Sequence, residues 1–170
     1  MELIKAKYED FDLIYSDMEK SFVREEIRDR DAAGAVMKNE KYSVYHVTDG
    51  GTRVGFMTVW ELSEFLFLEH FVTYEAFRNK GYGTAALKLL KEKSELIILE
   101  AEPPIEDMQK RRIGFYKRNG FSENDFPYTQ PPYRDGDEGV ELVLMSYPKK
   151  LSDVDSFVGE IYREVYKINL

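Results

Sequence analysis

Arg78-Asn79-Lys80-Gly81-Tyr82-Gly83-Thr84 has the composition of an anion cradle. An apolar run, Phe65 to Val72, precedes it, and a run of helical character, Ala85 to Lys93, follows. A strand that ends in a glycine loop and opens a helix aims several backbone N–H groups at one point. The helix macrodipole adds about half a positive charge there. Gly81 and Gly83 can take the positive φ that turns amides inward, and Thr84-Ala85-Ala86 is small enough to admit a bulky anion. A phosphate or pyrophosphate is the ligand this pattern predicts. The spacing is not the dinucleotide G-x-G-x-x-G, and no lysine follows the last glycine as a P-loop requires. Upstream, Glu69 interrupts the apolar stretch Leu66-Phe67-Leu68-Glu69-His70-Phe71. A carboxylate inside such a strand is costly unless it is paired or functional.

The elements that must position these residues follow from periodicity. Phe11, Ile14, Tyr15, Met18 and Phe22 recur at helical spacing, and Glu25 to Lys38 reads as a second, charged helix. Tyr42 to Val47 and Val54 to Trp60 flank Asp49-Gly50-Gly51, the pattern of a hairpin. Phe65 to Thr73 has the near-continuous apolar character of a central strand buried on both faces. A helix from about Thr84 to Lys93, a strand at Leu96 to Leu99 and a helix from Ile105 to Arg118, stopped by Asn119-Gly120, come next. Phe121 to Tyr128 and Val140 to Ser146 read as a last pair of strands joined by the loop Thr129 to Gly139. Val154, Phe157, Val158, Ile161, Val165 and Ile168 fall on one stripe of a final docked helix, with Ser152 and Asp155 at its start. Two helices, three antiparallel strands, a helix, a strand, a helix and two strands predict an α+β or mixed α/β domain around one sheet.

Composition narrows the chemistry. The 170 residues are 43% hydrophobic and 14% aromatic, enough for one domain with a real core. No cysteine is present, which excludes disulfides, thiolate zinc sites and a cysteine nucleophile, and no metal site is expected. No apolar run approaches the roughly 20 residues of a membrane span, and the N-terminus lacks a signal-peptide core, so a soluble cytoplasmic protein is expected. The net charge of −8 argues against nucleic-acid binding. Arg78 to Arg118 nevertheless holds ten Lys/Arg against six Asp/Glu. An anionic cofactor at the centre and a cationic substrate approaching from outside suit that field; simple solubility explains the outer charge equally well.

Two segments together make the reading specific. Phe71-Val72-Thr73 running into Arg78-Asn79-Lys80-Gly81-Tyr82-Gly83 resembles motif A of the GNAT superfamily of N-acetyltransferases. Gly114-Phe115-Tyr116-Lys117-Arg118-Asn119-Gly120-Phe121 is similar to that family's second signature, a helix tyrosine four residues before Gly-Phe. The resemblance covers residues 1–147 and leaves 148–170 as a C-terminal helical extension packed on the same domain. It implies a central mixed, mostly antiparallel sheet flanked by helices, with splayed strands at the cofactor site. It implies acetyl-CoA as cosubstrate, its pyrophosphate held by Arg78, Asn79, Lys80, Gly81, Tyr82, Gly83 and Thr84, and its pantetheine arm paired with the backbone of Phe71, Val72 and Thr73. Tyr116 becomes the general acid for the leaving thiolate, although packing is the commoner use of a helix tyrosine.

Glu69 then has two readings: a salt-bridged or edge-facing glutamate, or the general base for the attacking ammonium, its pKa lifted toward neutrality by burial. His70, on the opposite face by strand alternation, is the weaker base. Glu100 and Glu102 either face the acceptor or are solvated strand ends. The loop Tyr128 to Arg134 either borders the acceptor or packs as a proline-stiffened turn. The sequence departs from the family pattern at Glu75, Arg111, Arg112 and Gln109. Gln109 stands where many relatives carry a cofactor-contacting asparagine and is taken as cofactor-binding. The function implied is acetyl transfer to a primary amine, on a small molecule or peptide, by direct attack in a ternary complex. The alternative is a CoA-binding regulatory or structural module without turnover. A homodimer is the default assembly.

Overall fold

The computed structural model describes residues 1–168. In chain order the elements are β1 (Glu2–Lys5), α1 (Phe11–Ser21), α2 (Arg30–Val36), β2 (Tyr42–Asp49), β3 (Thr52–Glu61), β4 (Leu66–Thr73), α3 (Tyr82–Lys91), β5 (Ile97–Ala101), α4 (Asp107–Arg118), β6 (Ser122–Glu123), β7 (Tyr128–Gln130), β8 (Val140–Tyr147) and α5 (Val154–Glu164). The strands form one sheet in the order β1-β2-β3-β4-β5-β8-β6, with β7 paired to β8. Among the described residues only β4 and β5 run parallel. The expected mixed, mostly antiparallel sheet with flanking helices is present. Gly50 and Gly51 turn the β2–β3 hairpin with φ of 53° and 80°, the left-handed values such a turn needs.

Each face of the sheet carries its own core. On one face Phe56, Trp60, Phe67, Ile98 and Leu144 pack with Ile14 and Met18 of α1 and Val158 and Ile161 of α5. On the other, Met57, Val59, Leu66, Leu68, Ile97, Leu99 and Met145 pack with Ala86, Leu87 and Leu90 of α3 and Ile113 of α4. Helices on both faces are why β4 reads as an apolar run rather than an alternation. Among the described residues no helix is long and apolar enough to cross a membrane.

Local differences from the sequence reading have physical causes. Strand β1 was not predicted: it is short, and only Leu3 of its four residues is partly covered. The second helix shrinks from Glu25–Lys38 to Arg30–Val36, because Asp29 caps it by accepting from the Ala32 N–H at 2.9 Å. Helix α3 starts at Tyr82, two residues earlier than expected. The predicted strand Phe121–Tyr128 splits into β6 and β7. Helix α5 is capped by Asp153, which accepts from the Ser156 N–H at 3.3 Å, and not by Ser152. Ile168 leaves the buried stripe and is 39% exposed, and Tyr166 takes its place in the core.

Candidate active site

Strands β4 and β5 stay paired for only three steps, Leu66↔Ile97, Phe67↔Ile98 and Leu68↔Leu99. Beyond that point β4 continues along β3 and β5 along β8. The wedge between them opens into a cleft of about 830 Å³. A β-bulge sits at its apex. Thr58 pairs with His70 and Val59 with Leu68, so Glu69 has no opposite residue. The bulge breaks the alternation that was expected to put Glu69 and His70 on opposite faces. Glu69 instead contacts Arg28, Trp60 and Tyr133, and His70 packs edge-on to Phe22 and near Tyr133 on that same face.

The mouth of the wedge is the glycine loop. Asn79 and Gly81 have φ of 59° and 84°, and Gly81 is the N-cap of α3. A Cβ at Gly81 would meet nothing within 4 Å, so its left-handed backbone is what calls for glycine. A Cβ at Gly83 would lie 3.1 Å from the Phe115 ring, so this glycine lets α3 approach α4. The first helical bond is Ala85 N–H to Gly81 O. Among the described residues, the N–H groups of Asn79 to Thr84 have no protein acceptor. Those amides, the α3 macrodipole and the Arg78, Arg111, Arg112 and Arg118 side chains along the cleft make it a fit receptor for a pyrophosphate. Arg78 also pins the loop to the strand, its Nε donating to Thr73 O at 3.1 Å.

Two carboxylates lie at the apex in opposite electrostatic states. Glu69 is fully buried: Oε1 accepts from Arg28 Nη1 at 2.7 Å and Tyr133 OH at 3.0 Å, and Oε2 from Trp60 Nε1 at 3.2 Å. Burial alone would raise its pKa, but the adjacent Arg28 charge and the hydrogen bonds outweigh this and hold it well below the usual carboxylate range. The expectation of a Glu69 lifted toward neutrality is therefore corrected: the salt-bridged reading matches, because Arg28, 41 residues upstream and without a local signal in β4, folds against it. Arg28 is itself clamped, lying over the Tyr133 ring at 4.5 Å and donating from Nη2 to Val165 O at 3.1 Å.

Glu100 is the carboxylate that burial does perturb upward. It accepts hydrogen bonds from Tyr128 OH and from Tyr166 OH, the latter at 2.9 and 3.1 Å. Burial pushes its pKa up to about 7, with the two tyrosine hydrogen bonds opposing that rise. It is no solvated strand end. The sequence reading stopped the strand at Leu99, whereas β5 runs to Ala101 and carries Glu100 onto the face of Ile98. His70 has both ring nitrogens engaged, Nε2 donating to Glu26 O and Nδ1 sharing a hydrogen with Thr58 Oγ1, each at 2.9 Å.

Tyr116 lines the cleft from α4 and is 8% exposed. Burial pushes its pKa up to about 12, against the nearby Arg112 charge. The cleft brings together Glu69, Phe71, Val72, Thr73, Arg78, Asn79, Gly81, Tyr82, Gly83, Thr84 and Tyr116. Two predicted cofactor residues stay outside it. Lys80 donates from Nζ to Ala76 O at 2.8 Å. Gln109 turns back to the start of α4, where Oε1 accepts from the Glu106 N–H at 2.9 Å and the Ile105 N–H at 3.1 Å. As the third residue of α4 it serves as a cap. Arg112 pairs with Glu102. Arg28 and Tyr166 carry no signal in the sequence, because their side chains reach the apex only through long-range packing; Tyr133 belongs to the loop expected either to border the acceptor or to pack, and it bonds Glu69.

The GNAT acetyltransferase domain family matches residues 40–123. A putative GNAT-family acetyltransferase from Bacteroides thetaiotaomicron superposes with a TM-score of 0.88 at 32% identity, covering 99% of this chain and 100% of that one. The putative acetyltransferase YjbC of Bacillus subtilis is 28% identical over 109 residues, 63% of this chain. That match spans 55% of the relative's length. An aminoglycoside 6'-N-acetyltransferase complexed with coenzyme A shares the fold, with a TM-score of 0.58 at 12% identity, covering 86% of this chain and 96% of that one. The fold and the cleft define an acyltransferase scaffold. The chain belongs to the GNAT acetyltransferase family.

Proposed function

We propose that this protein transfers an acetyl group from acetyl-CoA to a primary amine by direct attack in a ternary complex. One observation carries the reading: a single cleft is lined by an amide cradle, a neutral phenol and a carboxyl poised near pH 7. Acetyl-CoA supplies an activated thioester. The amides from Asn79 to Thr84 bind its pyrophosphate, and the free edge of Phe71 to Thr73 orients the pantetheine arm. Glu100 takes the proton from the incoming ammonium, so that nitrogen can form the C–N bond. Tyr116 delivers a proton to the sulfur as the C–S bond breaks, and the second proton, lost by the newly acylated nitrogen, restores the phenol. A phenol with a raised pKa is fully protonated at neutral pH and thus ready as an acid. Glu69 is assigned an anchoring role, since its bound Arg28 already neutralises it. Holding the two reactants at one apex contributes through orientation.

Release of free thiol across a library of primary amines tests this reading, alongside thermal stabilisation by CoA. Thiol release that depends on both acetyl-CoA and an amine is the expected result. Stabilisation by CoA with no amine-dependent release would favour a binding module without turnover. Absence of any CoA stabilisation would overturn both readings, because a ligand at 100 times its Kd should add about 2.7 kcal/mol.

A further inference from the structure

Glu100 is held from two directions by residues outside the matched family segment. Tyr128 comes from β7 and Tyr166 from the turn that follows α5, whereas the family match ends at residue 123. Tyr166 is 8% exposed, and its hydroxyl reaches both carboxylate oxygens, at 3.1 and 2.9 Å. Its ring packs on Tyr133 with centroids 5.4 Å apart, and Tyr133 in turn bonds Glu69. The preceding Val165 carbonyl is fixed by Arg28. The C-terminal segment is therefore tied to both apex carboxylates.

We propose that Tyr166 is a positioning residue that orients the Glu100 carboxylate toward the cleft and keeps it ionised in the working pH range, which makes the segment after α5 part of the active site. The inference rests on Glu100 acting as the base. The groups that face Glu100 are Tyr128 from β7, Tyr166 and Tyr162 from the C-terminal region, Tyr133 from the loop before β8, and Glu69 and His70 from β4 with Arg28 behind them; Tyr116 lines the same cleft. Two phenols donate to the carboxylate, while the like charge of Glu69 and burial oppose ionisation. A hydrogen bond donated to a carboxylate stabilises its charged form. Loss of the Tyr166 hydroxyl must raise the Glu100 pKa and move the acidic limb of the rate profile to higher pH.

The experiment is kcat/KM against pH for the full-length protein, wild type and Tyr166→Phe, with acetyl-CoA and an amine found by thiol release. A hydrogen bond to a charged group corresponds to a limb shift of about one pH unit, which lowers the rate about tenfold at pH values below both limbs and restores it at high pH. Tyr128→Phe should move the limb in the same direction. Tyr162→Phe, whose hydroxyl donates to Thr129 O, should leave it in place. A Tyr166→Phe enzyme that loses rate uniformly at all pH values, with an unmoved limb, overturns the proposal. Glu100→Gln separates the two claims. If it retains the acidic limb, Glu100 is not the base and the proposal fails with that reading. If it loses the limb while Tyr166→Phe leaves the wild-type limb unmoved, the positioning role alone fails.

Discussion

Replacing Arg28 by methionine tests the anchoring role of Glu69 with a pH dependence whose sign is fixed by the structure. Arg28 and the fully buried Glu69 form an ion pair at 2.7 Å, and Arg28 also holds the Val165 carbonyl. Removing the cation strands a carboxylate in the core, a loss of about 3–5 kcal/mol at neutral pH. For a chain of this size that is a fall in Tm on the order of 10 °C. In the wild type the folded pKa of Glu69 is depressed, so its stabilisation is present above the unfolded value and is lost only as pH falls through the folded one. In Arg28→Met the largest force opposing burial is gone, and burial raises the Glu69 pKa above its unfolded value. The variant's folded state then binds more protons than the unfolded chain, and its stability declines as pH rises. The difference from wild type should therefore be largest near pH 8 and shrink near pH 5. Urea melts at both pH values measure it, and Arg28→Met/Glu69→Gln should recover part of the loss at pH 8. A penalty below about 1 kcal/mol, equal at both pH values, would refute a buried and compensated ion pair. If Arg28→Met does not fold, the comparison of Glu69→Gln with the double variant still reports whether the two residues are coupled.

Further predictions concern the cleft. Tyr116→Phe should lower turnover at least tenfold while CoA affinity, read by calorimetry, changes little; unchanged turnover removes Tyr116 from the mechanism. Gly81→Ala forces a side chain onto a residue with φ of 84° and should cost about 1–2 kcal/mol of stability while weakening CoA binding; a variant with wild-type CoA affinity and Tm would show that the loop does not need this conformation.

Much of the fold was legible because its signals are local. The hairpin glycines, the apolar run of β4 and the glycine loop ahead of α3 each declare their structure within a few residues, and the loop and Tyr116 do line one cleft. What escaped depends on distance in sequence. The Glu69 bulge is set by pairing with β3, and alternation alone could not place His70 beside Glu69. The partner of Glu69 lies 41 residues upstream, and one partner of Glu100 lies 66 residues downstream, so their opposite pKa shifts were not readable from β4 and β5. Gln109 followed the resemblance, whereas its position in the first turn of α4 gave the local use of its side chain as a cap. The dependence of the apex on residues 128 to 166 has no counterpart in either signature.

The central claim is that Glu100 rather than Glu69 accepts the proton, and the pH–rate profile of Glu100→Gln tests it most directly. The wild type should show an acidic limb near pH 7, where burial sets the Glu100 carboxyl. Glu100→Gln should lose that limb, and at pH 8 its turnover should fall by about 10²-fold or more, with CoA binding retained. A Glu100→Gln enzyme that keeps both the limb and most of its rate would contradict the account.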